Sequence, residues 1–408
     1  MIRSFVFTLS VCLLLLVACQ EKKSSVTVPF KLDHNRMIVE GEMQRKDSSW
    51  RKVRIWVDNG SARFFISSSL AKDLGISTDK SNNGSETENN SDNASNIGLR
   101  IGEMRLNTAN IFPTITTEPY WIYNALHIDA NLPATILKKY QVVFDYPKQQ
   151  FTIGAPGSIV HQGVKSMAAI HPETGVIEMF AIIGTDSLTF AIDIGASYSY
   201  TSDSIINHFI NQAPLLPSVL GTSGYANMWG WWPPNENDFI VTRFPLIKLG
   251  SVQLDNVGMV GVPPNPSASG KSLGEWYSQK TIWPVVGFLG ANALKSFRVE
   301  FDYPNSTIYF EKGSLNHFND MDIVGLAISP ERDSSYTIIG IVKKDNISVV
   351  EGINTGDKLI QVDSLQVKGN SMGVVMDALR GNPGEPRKLV IERKGKIIKV
   401  ESKIQRLL

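Results

Sequence analysis

The sequence predicts a mostly β chain: two tandem β lobes forming a bilobed unit, followed by a smaller α+β domain. Three observations predict it. Short apolar-alternating runs punctuated by Gly, Asn, Asp and Pro recur along the chain, two long segments repeat one another, and the pattern changes after about residue 315. A chain of 408 residues has room for roughly two to four domains at about 150 residues each. Its 42% hydrophobic content is enough for packed cores. Lys+Arg 40 against Asp+Glu 39 leaves a formal charge of +1, so no basic surplus calls for nucleic acid and no acidic surplus marks a solvating tail.

The first element is residues 1–18, with Arg3, an apolar run from Phe5 to Val17, and small residues at its end. The run is too short to span a bilayer comfortably and has the pattern of a secretory signal. Leu16-Val17-Ala18-Cys19 resembles the lipobox of bacterial lipoproteins. That resemblance implies lipidation of Cys19, a membrane anchor through a tether at 19–26, and an envelope location; Gln20 points by the same analogy to the outer membrane. The alternative is an ordinary signal with an incidental cysteine. Cys12, the other of the two cysteines, lies within the signal, so the mature chain has no second thiol for a disulfide, nucleophile or thiolate site. Six scattered His without a ligand-spaced pair predict no metal site.

The first lobe is expected at 27–155. MIVEGEM, KVRIWV, GLRIGEMRL and VVFDY read as strands, and SSSLAKDLGI as a short helix with a Ser N-cap. KVRIWV runs into Asp58-Asn59-Gly60, which alone reads as a turn. The polar stretch 79–96 is either a flap insertion or a plain surface loop. The second lobe is expected at 156–314, with a helix at SDSIINHFI. Its Trp229, Trp231 and Trp232 either line a groove or plug the side of a β-sandwich.

The repeat changes the reading of Asp58. LTFAIDIGASYSY (188–200) matches VRIWVDNGSARFF (53–65) at an offset of 135, which sets Asp193 against Asp58. Residues 285–310 align without gaps on 128–153 at an offset of 157. Nine positions are identical there: Leu132/Leu289, Ala134/Ala291, Leu137/Leu294, Lys138/Lys295, Val142/Val299, Phe144/Phe301, Asp145/Asp302, Tyr146/Tyr303 and Pro147/Pro304. The second copy therefore carries 22 extra residues between the two matches.

Two equivalent β lobes, each placing an Asp-x-Gly at a strand end, resemble the retropepsin/pepsin-like aspartic proteases over about 27–314. The second copy is the better match, through Asp193-Ile194-Gly195-Ala196, Val285-Val286-Gly287, the helix-like ANALKSF and FDYP. The resemblance implies that Asp58 and Asp193 form a dyad sharing one proton, activating water and polarising the carbonyl of an extended peptide substrate, without a cofactor. Gly60 and Gly195 let backbone approach the pair. The chain departs from the family where a hydroxyl residue usually follows the aspartate: Asn59 and Ile194 stand there. The first copy has Ile128-Asp129-Ala130 in place of Val285-Val286-Gly287. Ser61 is expected to bond the outer carboxylate oxygen, and Ala196 to reach its aspartate through its backbone N–H. These departures keep a second function open, a catalytically inactive peptide-binding lipoprotein.

Residues 320–404, from DIVGLAI through Gly356-Asp357, the helix-like MGVVMDAL and the Pro383-Gly384 turn to a final hairpin, resemble a bacterial PDZ domain. That implies capture of a C-terminal peptide by strand addition at Gly325-Leu326-Ala327-Ile328. The alternative is a module that only packs on the second lobe.

Overall fold

The computed structural model describes residues 24–76, 97–116, 125–221, 236–265, 270–313 and 319–408. Cys19, the 79–96 stretch and the three tryptophans at 229, 231 and 232 lie outside these. The chain is mostly β, with 49% strand against 13% helix.

The first β unit contains β1 (Ser25–Asp33), β2 (Arg36–Gln44), β3 (Trp50–Asp58), β4 (Phe64–Ser67), β5 (Ala130–Pro133), β6 (Gln141–Asp145) and β7 (Gln150–Gly154). GLRIGEMRL forms two short strands rather than one, because Gly102 turns the chain at φ 54°. The β1–β2 connection is the tight turn His34-Asn35, both at positive φ (48° and 61°), and it pairs Asp33 with Arg36 across the hairpin. Helix α1 (Ser68–Leu74) begins where Ser67 Oγ accepts the Leu70 N–H and ends at Gly75 in the left-handed region. Helix α2 (Ala134–Leu137) is a single turn after β5.

The second unit repeats this plan: β8 (Val164–Met167), β9 (Ile177–Ile183), β10 (Asp186–Ile192), β11 (Ser199–Ser202), β12 (Ser218–Leu220), β13 (Ile240–Leu249), β14 (Val252–Val262), β15 (Gly287–Leu289), β16 (Phe297–Asp302) and β17 (Thr307–Lys312). Helix α3 (Asp203–Gln212) starts after Ser202, whose hydroxyl makes no capping bond; the Asp203 carboxylate accepts the Ser204 N–H instead. Helices α4 (Leu273–Tyr277) and α5 (Ala291–Leu294) complete it.

The duplication is visible in the hydrogen bonds. β3 pairs β5 in parallel, as β10 pairs β15. Ala134 N–H donates to Ser61 O at 2.8 Å, and Ala291 N–H to Ala196 O at 2.9 Å. Asp129 N–H donates to Arg54 O as Val286 N–H does to Thr189 O. The copies meet at β6 and β16, which pair antiparallel with Val143 opposite Glu300, Val142 opposite Phe301 and Phe144 opposite Val299. This exchange of equivalent partners is a local two-fold relation centred on Val143 and Glu300. One apolar core runs through both units, including Ile55, Val57, Phe144, Ile192, Leu289 and Phe301.

The C-terminal unit is a sheet in the order β18 (Leu326–Pro330), β19 (Tyr336–Ile341), β20 (Lys358–Val362), β21 (Pro386–Arg393), β22 (Lys396–Lys403), with helix α6 (Met372–Ala378). It is joined to both β units. Lys343 pairs with Leu220 at the end of β12. Leu326, Ile328, Met372, Val375 and Met376 share one apolar cluster with Ile38, Trp56, Leu126 and Ile128 of the first unit. Leu326, Ala327 and Ile328 are at most 1% exposed, so the segment expected to receive a peptide has its side chains packed away, on the end strand of the sheet. The module's apolar contact is thus shared with the first unit and does not lie on the second alone.

Candidate active site

Asp58 is the last residue of β3, and Asp193 follows β10 directly. The sheets deliver the two strand ends to one place. The Asp193 carboxylate stands over the Cα of Gly60, and the Asp58 carboxylate over the Cα of Gly195, so a Cβ on either glycine would run into the opposite aspartate. Each loop thus accepts the other's acid against bare backbone. Asp58 and Asp193 are 7% and 6% exposed, which leaves the pair a narrow opening to solvent.

Each carboxylate is also held by its own turn. Gly60 N–H donates to Asp58 Oδ1 and Ala196 N–H to Asp193 Oδ1, both at 3.1 Å. The Ala196 bond is the one expected. Ser61 does not reach a carboxylate: its hydroxyl donates to Arg63 O at 3.1 Å and accepts the Arg63 N–H, closing its own turn.

Asn59 bridges the two units. Its Nδ2 donates to Ile192 O at 2.9 Å, and its Oδ1 accepts the Ile194 N–H at 2.7 Å. One amide therefore donates to and accepts from the backbone flanking Asp193. Ile194 returns nothing; its side chain is fully buried in the shared core. The cross-link is one-sided but buried, where a bond lost leaves its partners unsatisfied at about 1–3 kcal/mol each.

Three residues that sequence reasoning missed surround the pair. Tyr277, at the end of α4, donates to Asp193 Oδ2 at 2.9 Å, and its hydroxyl also lies 3.4 Å from Gly60 O. Burial and the adjacent Asp193 hold that phenol well above its ordinary range, so it stays a neutral donor. Lys280, half-buried, places Nζ 4.2 Å from the Trp276 ring centre and 4.8 Å from that of Tyr277, within the field of both aspartates. Arg36, the first residue of β2, is fully buried, and its charge is felt by Tyr200, Asp33, Asp193 and Asp58. Burial brings its guanidinium down to about 10, still protonated at neutral pH. The Ser272-x-x-Glu275 capping box was the readable signal for α4: Ser272 Oγ accepts the Glu275 N–H while Glu275 accepts the Ser272 N–H. Nothing local marks Arg36, because only the fold brings it here.

Burial, then the charge of Asp193, raises Asp58 from 3.8 to about 7, against the lowering pull of Lys280, the Gly60 N–H and Arg36. Asp193 is raised as well, chiefly by burial, with the Tyr277 hydroxyl, Lys280 and the Ala196 and Gly195 N–H groups opposing. Two buried acids this close do not readily ionise together, so the pair tends to keep one proton between them. Among the described residues no group of His, Cys, Asp and Glu is arranged to hold a metal ion. No protein-family model and no curated protein matches this chain.

Proposed function

We propose that the chain is an aspartic-type endopeptidase of the retropepsin/pepsin-like kind, cleaving extended peptide between the two β units. The observation that carries this reading is the reciprocal seating of Asp58 over Gly195 and Asp193 over Gly60. In the working state the pair holds one proton. The ionised carboxylate removes a proton from a water held between the two acids, while the protonated one donates to the scissile carbonyl oxygen. The intermediate is a neutral gem-diol, and Lys280 offsets the single negative charge that the carboxyl pair keeps throughout. As the C–N bond breaks, the proton taken from water passes to the leaving nitrogen and a gem-diol hydroxyl returns its proton to the other carboxylate, which restores the one-proton pair. Tyr277 keeps Asp193 oriented throughout, and Asn59 keeps the two loops in register.

The proposal extends to the rest of the chain. Lipidation at Cys19 anchors the protein in the bacterial envelope, at the outer membrane. The C-terminal unit is of PDZ type and recruits peptide or protein substrate by its C-terminus. Because its Gly325–Ile328 segment is packed away, recruitment requires α6 and β18 to lift from the first unit.

A second reading, a peptide-binding protein without catalysis, rests on Ile194, which leaves the inter-unit link single. One experiment separates them: purified protein incubated with an unfolded polypeptide from pH 3 to pH 8. The endopeptidase predicts cleavage that Asp193→Asn reduces by about 10²–10⁴-fold with the fold retained. No cleavage by the wild type at any pH establishes the second reading.

A further inference from the structure

Four consecutive residues at the tip of the β1–β2 hairpin reach three parts of the molecule. Asp33 Oδ1 accepts the Gly373 N–H of α6 at 2.7 Å. Asn35 Nδ2 donates to Ser197 O, in the loop that carries Asp193, at 3.1 Å. His34 is buried between them, and Arg36 sits beneath, 6.0 Å from the ring centre of Trp56, two residues before Asp58. Gly373 has no room for a side chain, since a Cβ would press on the His34 backbone nitrogen and the Asp33 carboxylate. The hairpin tip is therefore clamped between α6 and the Asp193 loop.

We propose that Arg36 is a positioning residue for the dyad, placed by Asp33, and that α6 of the C-terminal unit sets it by gripping Asp33. The inference rests on the peptidase reading for its consequence but not for its geometry. Arg36 is the cross-hairpin neighbour of Asp33, and its charge interacts with Asp33, Asp58, Asp193 and Tyr200; Asp33 also interacts with Ser371 and His127, and the dyad with Lys280 and Tyr277. A guanidinium here favours the ionised dyad, so its place sets the pH at which the pair loses its shared proton. Lifting α6 frees Asp33, moves Arg36 and shifts that pH. Peptide capture and catalysis are thereby linked.

The test uses the full chain and two readouts: thermal midpoint against pH, which needs no activity, and the pH–rate profile. Through Asp58 the wild-type midpoint falls as pH rises to about 7, and this fall is smaller in Asp58→Asn. In Arg36→Met the upper end of the fall, and the alkaline limb of the rate profile, move up by about one pH unit. Arg36→Lys restores most of the wild-type position. Asp33→Asn also moves both upward, by less; deleting the Asp33 charge acts directly on the dyad in the opposite sense, so an upward move reports displacement of Arg36. In the Arg36→Met background the upward effect of Asp33→Asn is lost and only its direct downward effect remains, so the double variant lies at or slightly below Arg36→Met.

An unmoved limb in folded Arg36→Met overturns the proposal, as does a downward or absent shift in Asp33→Asn. If Arg36→Met does not fold, Asp33→Asn alone decides. A wild type that cleaves nothing defeats the peptidase reading, and the midpoint curves still decide this one.

Discussion

At the scale of single residues, the site depends on how the protein fixes the protonation of two buried acids. Asp58, at 3.8 when free and about 7 when folded, stays protonated in the native state over a range where the unfolded chain ionises. At this group the native state then binds more protons than the unfolded one, so the contribution of Asp58 to stability is greatest below pH 3.8 and falls until about pH 7. Asp58→Asn removes this cost. It is expected to raise stability at pH 8 by on the order of 4 kcal/mol and to leave it nearly unchanged at pH 3, measured by denaturant titration at both. Tyr277→Phe takes a donor from Asp193, raising its pKa and moving the acid limb of the pH–rate profile upward; an unmoved limb would show that the hydroxyl does not act on the acid. Asp58 and Asp193 were legible in the sequence because a repeat placed them in register. Tyr277, Lys280 and Arg36 were not, since their meaning arises only from neighbours distant along the chain. Asn59 was read as a departure from the family pattern and proves to be the inter-unit bridge.

Among elements, the duplicated strands were readable where apolar alternation was strict, as in β3 and β10. The weaker match of Ile128-Asp129-Ala130 has a physical explanation. In the second unit β11 crosses β15 so closely that a Cβ on Gly287 would meet the backbone of Tyr200 and Thr201. In the first, Ala130 pairs with Ile66 and is accommodated. The adjacent Asp129 adds fixings the second copy lacks: its carboxylate accepts the Arg54 N–H at 2.9 Å and lies 3.2 Å from the Arg51 guanidinium. Gly287→Ala is therefore expected to destabilise by about 1–3 kcal/mol through overpacking, whereas Ala130→Gly costs about 1 kcal/mol of backbone entropy. Thermal midpoints that rank the two in the reverse order would refute this account. The split of GLRIGEMRL escaped the reading because Gly102 interrupts an alternation that continues on both sides.

For the whole molecule, the sequence separated the C-terminal unit by its change of pattern but gave no sign of where it docks. Apolar residues such as Trp56 and Ile38 read as ordinary core until the partner surface is known. Since α6 and β18 share that cluster, the chain is expected to unfold in one cooperative transition. A chain ending at Gly313 should lose several degrees of thermal midpoint or precipitate, and an unchanged midpoint would show the units to be independent. The two-fold relation at Val143 and Glu300 has a further consequence. In a pair of identical subunits, a residue on the axis faces its own copy, so a carboxylate there would confront a carboxylate. Fusing the copies into one polypeptide lifts that restriction. Glu300 sits opposite a valine and takes the Gln141 amide at 2.7 Å and the His161 ring at 2.6 Å, with Arg298 at 3.4 Å. Covalent linkage has let the seam become lopsided, and a lopsided seam admits only one way of joining the halves.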